Sequence, residues 1–181
     1  MRVIAGKCRS LPLKTVPGTD TRPTTDRIKE TLFNILNPRI SGCRFLDLFS
    51  GSGAIGIEAL SRGAESAVFV ERRKDALQAV RENLEACGFS DRARVVNGDA
   101  MSYLKSGEKF DLIFLDPPYA SGLLEQALED IARFDICRRH GIIVAESAAD
   151  KTLPPLSSPY SIYREYRYGK IKLTVYHRNE D

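Results

Sequence analysis

The sequence predicts an α/β fold in which helices pack against a mainly parallel β-sheet. From Arg44 onward, short apolar runs rich in Val, Ile, Phe and Leu alternate with stretches whose apolar residues recur at helical spacing. This alternation is typical of βαβ units, in which a helix connects two parallel strands. With 181 residues, 43% of them hydrophobic, the chain has the size of one domain with a substantial core.

Five strands are expected in the central part of the chain, each ended by a polar or glycine-containing turn. The clearest of the helices between them covers Lys74–Cys87, where Leu77, Val80 and Leu84 recur at three-to-four spacing and Gly88 follows as a C-cap. The predicted strands are Arg44–Leu48, Ser66–Val70, Arg94–Asn97, Asp111–Leu115 and Gly141–Glu146.

The two ends of the chain predict different elements. Residues 160–177 alternate in residue type and break at Gly169-Lys170, which indicates an antiparallel hairpin at the edge of the sheet. A helix is expected in residues 24–36, where Thr and Asp capping residues precede an apolar face. We therefore expect a single domain over 1–181, with a basic hairpin or arm at 1–23 and an α/β core at 24–181.

Composition argues against several classes of protein. No stretch is apolar over the length needed to cross a bilayer, and the start lacks the apolar core and cleavage pattern of a signal peptide, so a cytoplasmic protein is expected. The four cysteines form no C-x-x-C pair and the two histidines share no ligand spacing. We therefore expect neither a metal site nor a catalytic thiol.

The charge of the chain is unevenly distributed, although the net charge is only +3. Residues 1–45 contain nine Lys and Arg against three Asp and Glu, and residues 160–178 are again basic. If the two ends meet in the fold, they form one basic face that suits nucleic acid. An ordinary solvated surface is an equally good interpretation of the charge alone.

A glycine-rich turn between a strand and a helix marks a candidate ligand site. In residues 45–56 an apolar strand runs into Gly51, Gly53 and Gly56. Such turns let a ligand approach the backbone and the free N–H groups at a helix N-terminus. The pattern also satisfies G-x-G-x-x-G, with Glu71 twenty residues after Gly51, so a dinucleotide is an alternative ligand.

Acidic residues at three strand ends favour a cationic adenosine compound over a dinucleotide. Asp47 suits the sulfonium and amino groups of S-adenosylmethionine and would not help to hold a pyrophosphate. Glu71 can accept hydrogen bonds from both ribose hydroxyls, and Asp99 can accept one from the adenine amino group. The predicted donor-binding residues are Asp47, Ser50, Gly51, Ser52, Gly53, Glu71, Asp99 and Ala100.

The most specific motif is Asp116-Pro117-Pro118-Tyr119, directly after the fourth strand. Adjacent prolines form a rigid loop that offers carbonyl acceptors without N–H donors. Hydrogen bonds from an exocyclic base amine to the Asp116 carboxylate and the Pro117 carbonyl would free the delocalised lone pair of the amine for attack on a sulfonium methyl group. Tyr119 would stack on a base taken out of its helix. These four residues are the predicted catalytic residues, and a proline-rich structural turn is the alternative.

In this order, the motifs resemble those of class I S-adenosylmethionine-dependent methyltransferases that modify amino groups. The stretches RPTTDRIKETLFN at 22–34, VIAG at 3–6 and GIEALSRGA at 56–64 narrow the resemblance to the bacterial ribosomal small-subunit methyltransferase D family. It extends over essentially the whole chain. The resemblance implies a Rossmann-like, mostly parallel seven-stranded sheet with an antiparallel last strand, helices on both faces and an N-terminal hairpin that helps to hold RNA.

The same resemblance implies a reaction and a partner. The reaction is methylation of guanine N2 in 16S ribosomal RNA by S-adenosylmethionine, which leaves S-adenosylhomocysteine and needs no metal. We expect a monomer that acts on an assembling small subunit. Three alternatives stay open: adenine-N6 or cytosine-N4 methylation of DNA, a nicotinamide-dependent oxidoreductase, and a non-catalytic RNA-binding module. The residues expected to contact RNA phosphates are Arg2, Lys7, Arg9, Lys14, Arg22, Arg167, Lys170 and Lys172.

Overall fold

The computed structural model describes residues 1–17, 25–118 and 122–180. Within these ranges no helix combines the length and the apolar character that a bilayer span requires. The strands are β1 (Arg44–Asp47), β2 (Ser66–Glu71), β3 (Ala93–Asn97), β4 (Phe110–Leu115), β5 (Cys137–Ala148), β6 (Tyr160–Tyr168) and β7 (Ile171–Arg178). The α-helices are α1 (Asp26–Ile40), α2 (Ala54–Ser61), α3 (Lys74–Cys87), α4 (Ala100–Leu104) and α5 (Leu123–Arg133).

All seven strands belong to one sheet, in the order β3-β2-β1-β4-β5-β7-β6. Strands β1 to β5 pair in parallel, and β7 is antiparallel to both β5 and β6. The predicted mostly parallel sheet with an antiparallel last strand is therefore confirmed. The second strand of the terminal hairpin joins the parallel strands, so β6 lies at the edge.

Helices cover both faces of the sheet, as predicted. Leu32 of α1, Ile57 of α2 and Val80 of α3 belong to one buried apolar cluster. Leu104 of α4 and Leu128 of α5 belong to a second cluster on the opposite face. Because both faces are covered, the central strands are continuous apolar runs rather than alternating ones.

Local signals fix most helix ends, and two elements are longer than predicted. The Thr25 hydroxyl caps α1 by accepting from the Ile28 N–H at 3.3 Å, and Gly88 ends α3 in the left-handed conformation at φ 71°. Helix α1 continues to Ile40, with Pro38 in its last turn. Strand β5 begins at Cys137, before the predicted Gly141, because Cys137 pairs with Phe110 of β4.

Residues 1–17, here called the N-terminal segment, fold back on themselves. Arg2 and Pro12 form an antiparallel bridge, and the Val3 N–H donates to the Leu11 carbonyl at 2.9 Å. This pairing is a minimal version of the predicted hairpin. The segment is also docked on the core, since Val3 and Leu13 are buried in the cluster beneath α1, α2 and α3.

A buried carboxylate on α2 anchors the start of the N-terminal segment. Both Glu58 oxygens accept from backbone N–H groups, of Ile4 at 2.9 Å and of Ala5 at 3.0 Å. Lys29 of α1 and Arg62 form ion pairs with the same carboxylate. Lys29 is fully buried; burial lowers its pKa, and the facing Glu58 offsets part of this effect. Removing either partner would leave a buried charge, so we expect this anchor to be rigid.

Candidate active site

A cavity of about 390 Å³ lies at the carboxyl ends of β1, β2, β3 and β4. Strands β2 and β3 follow β1 on one side of the sheet, whereas β4 and β5 lie on its other side, so a topological switch point lies between β1 and β4. Open α/β sheets bind ligands beside such a point. The volume is within the range of about 300 to 1,000 Å³ that is typical of small-molecule sites. Acidic residues from all four strand ends line the cavity, namely Asp47, Glu71, Asp99 and Asp116.

The glycine-rich turn after β1 forms one wall of this cavity. Gly53 immediately precedes α2 with φ 84°, a left-handed conformation that side-chain-bearing residues rarely adopt. Gly56 lies in the first turn of α2, and a Cβ there would approach the Phe69 ring of β2 to 2.3 Å. The first of these glycines turns the chain, and the second lets the helix pack closely on the sheet.

Asp47 lies beneath the turn and stabilises it. Its side chain is 1% exposed, and its Oδ2 atom accepts from the Gly56 N–H at 3.0 Å. The carboxylate therefore acts at the N-terminus of α2, where Gly53 has no side chain to cap the helix. Burial raises the pKa of Asp47 to about 7; the Gly56 N–H opposes this rise and the nearby Glu71 adds to it.

Glu71 ties the end of β2 to the glycine turn. One of its oxygens accepts from the Gly51 N–H at 2.8 Å, and the other accepts from the N–H groups of Arg72 and Arg73, both at 3.0 Å. These bonds fix the carboxylate at the cavity rim. Each carboxylate oxygen has two acceptor sites. Oε1 uses both of its sites for Arg72 and Arg73, so Oε2 keeps one open site for a ribose hydroxyl, one fewer than the predicted pair.

Asp99 and Ser50 add polar atoms to the same wall. One Asp99 oxygen caps α4 by accepting from the Ser102 N–H at 2.9 Å. Ser50 is 8% exposed, lines the cavity, and its hydroxyl has no hydrogen-bond partner among the described residues. A buried hydroxyl is costly to leave unsatisfied, so this atom fits a polar ligand in the cavity.

The loop after β4 brings the proline motif to the donor wall. Asp116 is half-buried and Pro118 is exposed, and both line the cavity, whereas Pro117 is buried beside them. Tyr119 lies outside the described residues. The cavity therefore has two halves. One is acidic and bordered by the glycine turn, and the other is bordered by the two prolines, which offer carbonyl acceptors and no N–H donors.

Most of the predicted donor-binding residues face this one cavity. The residues that line it are Asp47, Ser50, Gly51, Ser52, Glu71, Asp99 and Ala100. Gly53 does not line the cavity but forms the turn that leads into α2. Sequence reasoning missed the contribution of the N-terminal segment, because Met1, Thr15 and Val16 also line the cavity and carry no motif. It also missed the apolar residues Phe49, Phe114 and Leu123, of which Phe49 lay inside the glycine motif itself.

The basic residues expected to contact RNA fall into different environments. Lys7, Arg9, Arg167 and Lys170 are exposed. The turn that carries Lys170 lies at the carboxyl edge of the sheet, because Ile171 pairs with Ala148, the last residue of β5. Arg2 pairs with Asp26 at 3.2 Å and Lys14 with Glu82 at 2.6 Å, so part of their charge is already balanced. Arg22 lies outside the described residues.

Lys172 corrects one of these expectations. Its side chain is 2% exposed, and its ammonium donates to the Lys151 carbonyl and to Glu165. Residues 172–176 of β7 are buried on both faces of the sheet, and Lys172 lies on the same face as Thr174. Lys172 is therefore an internal hydrogen-bond donor and not a phosphate contact.

Thiol and metal chemistry have no centre in the described ranges. No group of three or more His, Cys, Asp or Glu side chains there is arranged to hold a metal ion. Cys43, Cys87 and Cys137 are buried, and burial raises the pKa of each thiol to about 12. These thiols stay protonated and are poor nucleophiles.

Comparisons with known proteins agree over nearly the whole chain. The family model described as Conserved hypothetical protein 95 matches residues 1–177. Ribosomal RNA small subunit methyltransferase D of Escherichia coli K12 is 39% identical over 181 residues, covering 98% of this chain and 90% of that protein. The enzyme of the same name from Haemophilus influenzae is 36% identical over 182 residues, covering 97% and 93%. The solved structure of yhhF from Escherichia coli superposes with a TM-score of 0.90 at 37% identity, covering 100% of this chain and 99% of that one.

Proposed function

The chain belongs to the ribosomal small-subunit methyltransferase D family, described as Conserved hypothetical protein 95, and on that premise we propose that it methylates guanine N2 in 16S ribosomal RNA. The methyl donor is S-adenosylmethionine. One observation carries the proposal: the Asp116-Pro117-Pro118 loop and the strand-end acids of β1, β2 and β3 border one cavity.

The donor half of the cavity has the chemistry that S-adenosylmethionine requires. Glu71 offers an open acceptor site for a ribose hydroxyl, and Asp99 offers one for the adenine amino group. Asp47 and the glycine turn would hold the charged amino-acid end, and the Ser50 hydroxyl adds a buried polar atom there. When bound, the donor supplies a methyl group made electrophilic by its sulfonium.

The acceptor half has the chemistry that a base amine requires. The lone pair of guanine N2 is delocalised into the ring, which makes the amine a poor nucleophile. Hydrogen bonds from its two N–H groups to the Asp116 carboxylate and the Pro117 carbonyl hold the amine and draw it toward tetrahedral geometry. Asp116 then accepts the proton that the methylated nitrogen loses. Tyr119, next along the chain, is proposed to stack on the flipped base.

RNA would approach the carboxyl edge of the sheet. Arg167 and Lys170 near the β6–β7 turn offer exposed cations at this edge, and Lys7 and Arg9 offer two more at the tip of the N-terminal segment, beside the last residue of α2, for phosphate contacts. We propose that the chain acts as a single-domain monomer in the cytoplasm and that its substrate is 16S ribosomal RNA in an assembling small subunit. The names of the curated relatives support ribosomal RNA as the substrate class.

The test combines a donor assay with one substitution. Labelled S-adenosylmethionine is offered with unmodified 16S ribosomal RNA, free and in partially assembled particles, and the methylated base is mapped. Asp116→Ala should lower kcat by about 1,000-fold or more, since it removes both the amine acceptor and the proton acceptor. The donor Kd should stay within about threefold of wild type, because Asp116 lies on the acceptor side.

Two control measurements keep the proposal falsifiable. Titration with NADH should give no binding, and DNA containing unpaired adenine or cytosine should not be methylated. Retained turnover in Asp116→Ala would remove the proposed role of this residue. Label on adenine N6 or cytosine N4, or binding of NADH in place of the methyl donor, would overturn the proposed reaction.

A further inference from the structure

The N-terminal segment closes the donor cavity on the side of the glycine turn. Thr15 and Val16 line the cavity together with Gly51 and Ser52. These two pieces of chain are more than thirty residues apart in sequence. Among the described residues, no side-chain hydrogen bond joins Thr15 or Val16 to Gly51 or Ser52. Besides the Glu58 anchor at Ile4 and Ala5, a third element holds them together next to the cavity.

That third element is the side chain of Asn83, in the middle of α3. Its Oδ1 atom accepts from the Lys14 N–H at 2.8 Å, and its Nδ2 atom donates to the Lys14 carbonyl and to the Ser52 carbonyl, both at 3.0 Å. Asn83 is 2% exposed and does not line the cavity. Both amide hydrogens and the amide oxygen are therefore used to join Lys14 to Ser52.

Only an asparagine-like side chain can make this junction. Aspartate keeps the acceptor for the Lys14 N–H but has no hydrogens for the two carbonyls. Alanine and leucine make none of the three bonds and leave the two carbonyls without this donor. The neighbouring Glu82 also contacts Lys14, but through an exposed ion pair at 2.6 Å that does not involve the backbone of the segment or Ser52.

We propose that Asn83 is a positioning residue that couples the N-terminal segment to the donor-binding turn. It holds residues 14–16 beside the glycine turn that borders the donor cavity. This inference rests on the proposed function of the cavity.

The experiment measures donor affinity in Asn83→Ala, with Glu82→Gln as a matched control on the same helix. Calorimetric titration with S-adenosylhomocysteine should give a Kd about tenfold higher in Asn83→Ala. This increase corresponds to the free energy of about one hydrogen bond, which is lost from the binding when the segment is no longer held in place. Glu82→Gln should stay within about twofold, since exposed ion pairs contribute little. In turnover, KM for the donor should rise with Asn83→Ala while kcat at saturating donor stays within about threefold of wild type.

Hydrogen exchange separates positioning from stability. Donor should slow exchange at residues 14–16 in the wild type, and this protection should be lost in Asn83→Ala while protection at Glu71 persists. If Asn83→Ala does not fold, Asn83→Leu replaces it, since its side chain is close in size to that of asparagine and it also makes none of the three bonds. Unchanged donor Kd and KM in a folded variant would overturn the coupling. A wild-type protein that binds no donor would instead overturn the proposed function on which the coupling rests.

Discussion

The strand-end carboxylates on the two sides of the donor cavity are held in different ways. On the side of β1, β2 and β3, Asp47, Glu71 and Asp99 each accept from backbone N–H groups of a nearby turn or helix start. On the side of β4, Asp116 is followed by two prolines. Proline has no N–H, so the two positions after Asp116 cannot bond to it in the same way.

This difference separates two kinds of functional residue. The acids of β1, β2 and β3 shape the backbone that meets the donor, so donor affinity and folding stability depend on the same atoms. Asp116 lies in a loop that is stiffened by the rings of Pro117 and Pro118. These two prolines offer backbone carbonyl acceptors and no N–H donors. We therefore expect substitutions on the donor side to change affinity and stability together, and substitution of Asp116 to change turnover.

The largest effect on the donor side is expected for Glu71→Ala. The substitution removes the acceptor for a ribose hydroxyl and for the N–H groups of Gly51, Arg72 and Arg73. Hydrogen bonds to charged groups contribute about 1.5 to 3 kcal/mol each, so the Kd of S-adenosylhomocysteine should rise about 100-fold, with a lower Tm. Calorimetric titration and thermal denaturation measure both. Glu85→Ala, which removes an exposed acid of α3, is the control and should change neither.

Asp47 should make donor binding depend on pH. Burial raises its folded-state pKa to about 7, so between its ordinary pKa of about 4 and pH 7 the folded protein holds a proton that the unfolded chain has lost. The contribution of Asp47 to the free energy of unfolding therefore falls as pH rises through this window. A cationic donor favours the ionised form and should release this proton on binding.

The measurement for Asp47 is donor Kd between pH 6 and pH 8. With a pKa of about 7, the ionised fraction of Asp47 rises from about a tenth to about nine-tenths over this range, so affinity should rise by up to about tenfold. The control is Asp47→Asn, which has no titrating group at this position. The pH dependence of donor Kd that remains in this variant includes the titration of the donor's own amino group. Parallel profiles of donor Kd against pH in the wild type and in Asp47→Asn would contradict the role of Asp47. In Asp116→Ala, which keeps Asp47, the steep profile should persist.

The donor side was more predictable from sequence than the rest of the site for a physical reason. Glycine positions and acids that end apolar strands are local signals, and in a parallel sheet local strand ends converge on one edge. Asp47, Glu71 and Asp99 therefore meet in the cavity although they are spread over the first 99 residues. Helix α3 was predicted with its bounds as observed because its apolar spacing and Gly88 are equally local.

Long-range packing explains what the sequence did not predict. The burial of Lys172 depends on β7 lying between β5 and β6, an order that no local pattern encodes. The burial of Lys29 and Glu58 follows from the docking of the N-terminal segment. Asn83 is an unremarkable helix residue until Lys14 and Ser52 are brought to it. Each of these contacts joins residues at least 25 positions apart or needs the complete sheet.

The smallest effect is expected for the exposed cations of the N-terminal segment. Replacing Lys7 and Arg9 by alanine should weaken binding to 16S ribosomal RNA by about three- to tenfold and reduce the slope of log Kd against log salt by about two, one for each lost phosphate contact. Neither side chain lines the donor cavity, so the donor Kd without RNA should not change. Filter binding of RNA at several salt concentrations measures both RNA quantities.

The control for this pair keeps the change in charge and moves it along the amino edge of the sheet, away from the N-terminal segment. Lys105 and Arg133 are exposed at the ends of α4 and α5, where the chain enters the amino ends of β4 and β5. Replacing both by alanine removes the same two charges, so an equal loss of RNA affinity would show that net charge alone drives binding. If only the Lys7 and Arg9 substitutions reduce the salt slope, the phosphate contacts are made by the N-terminal segment. An RNA whose base enters the cavity would then extend along this segment toward the amino edge of the sheet, where Lys7 bonds to Ser61.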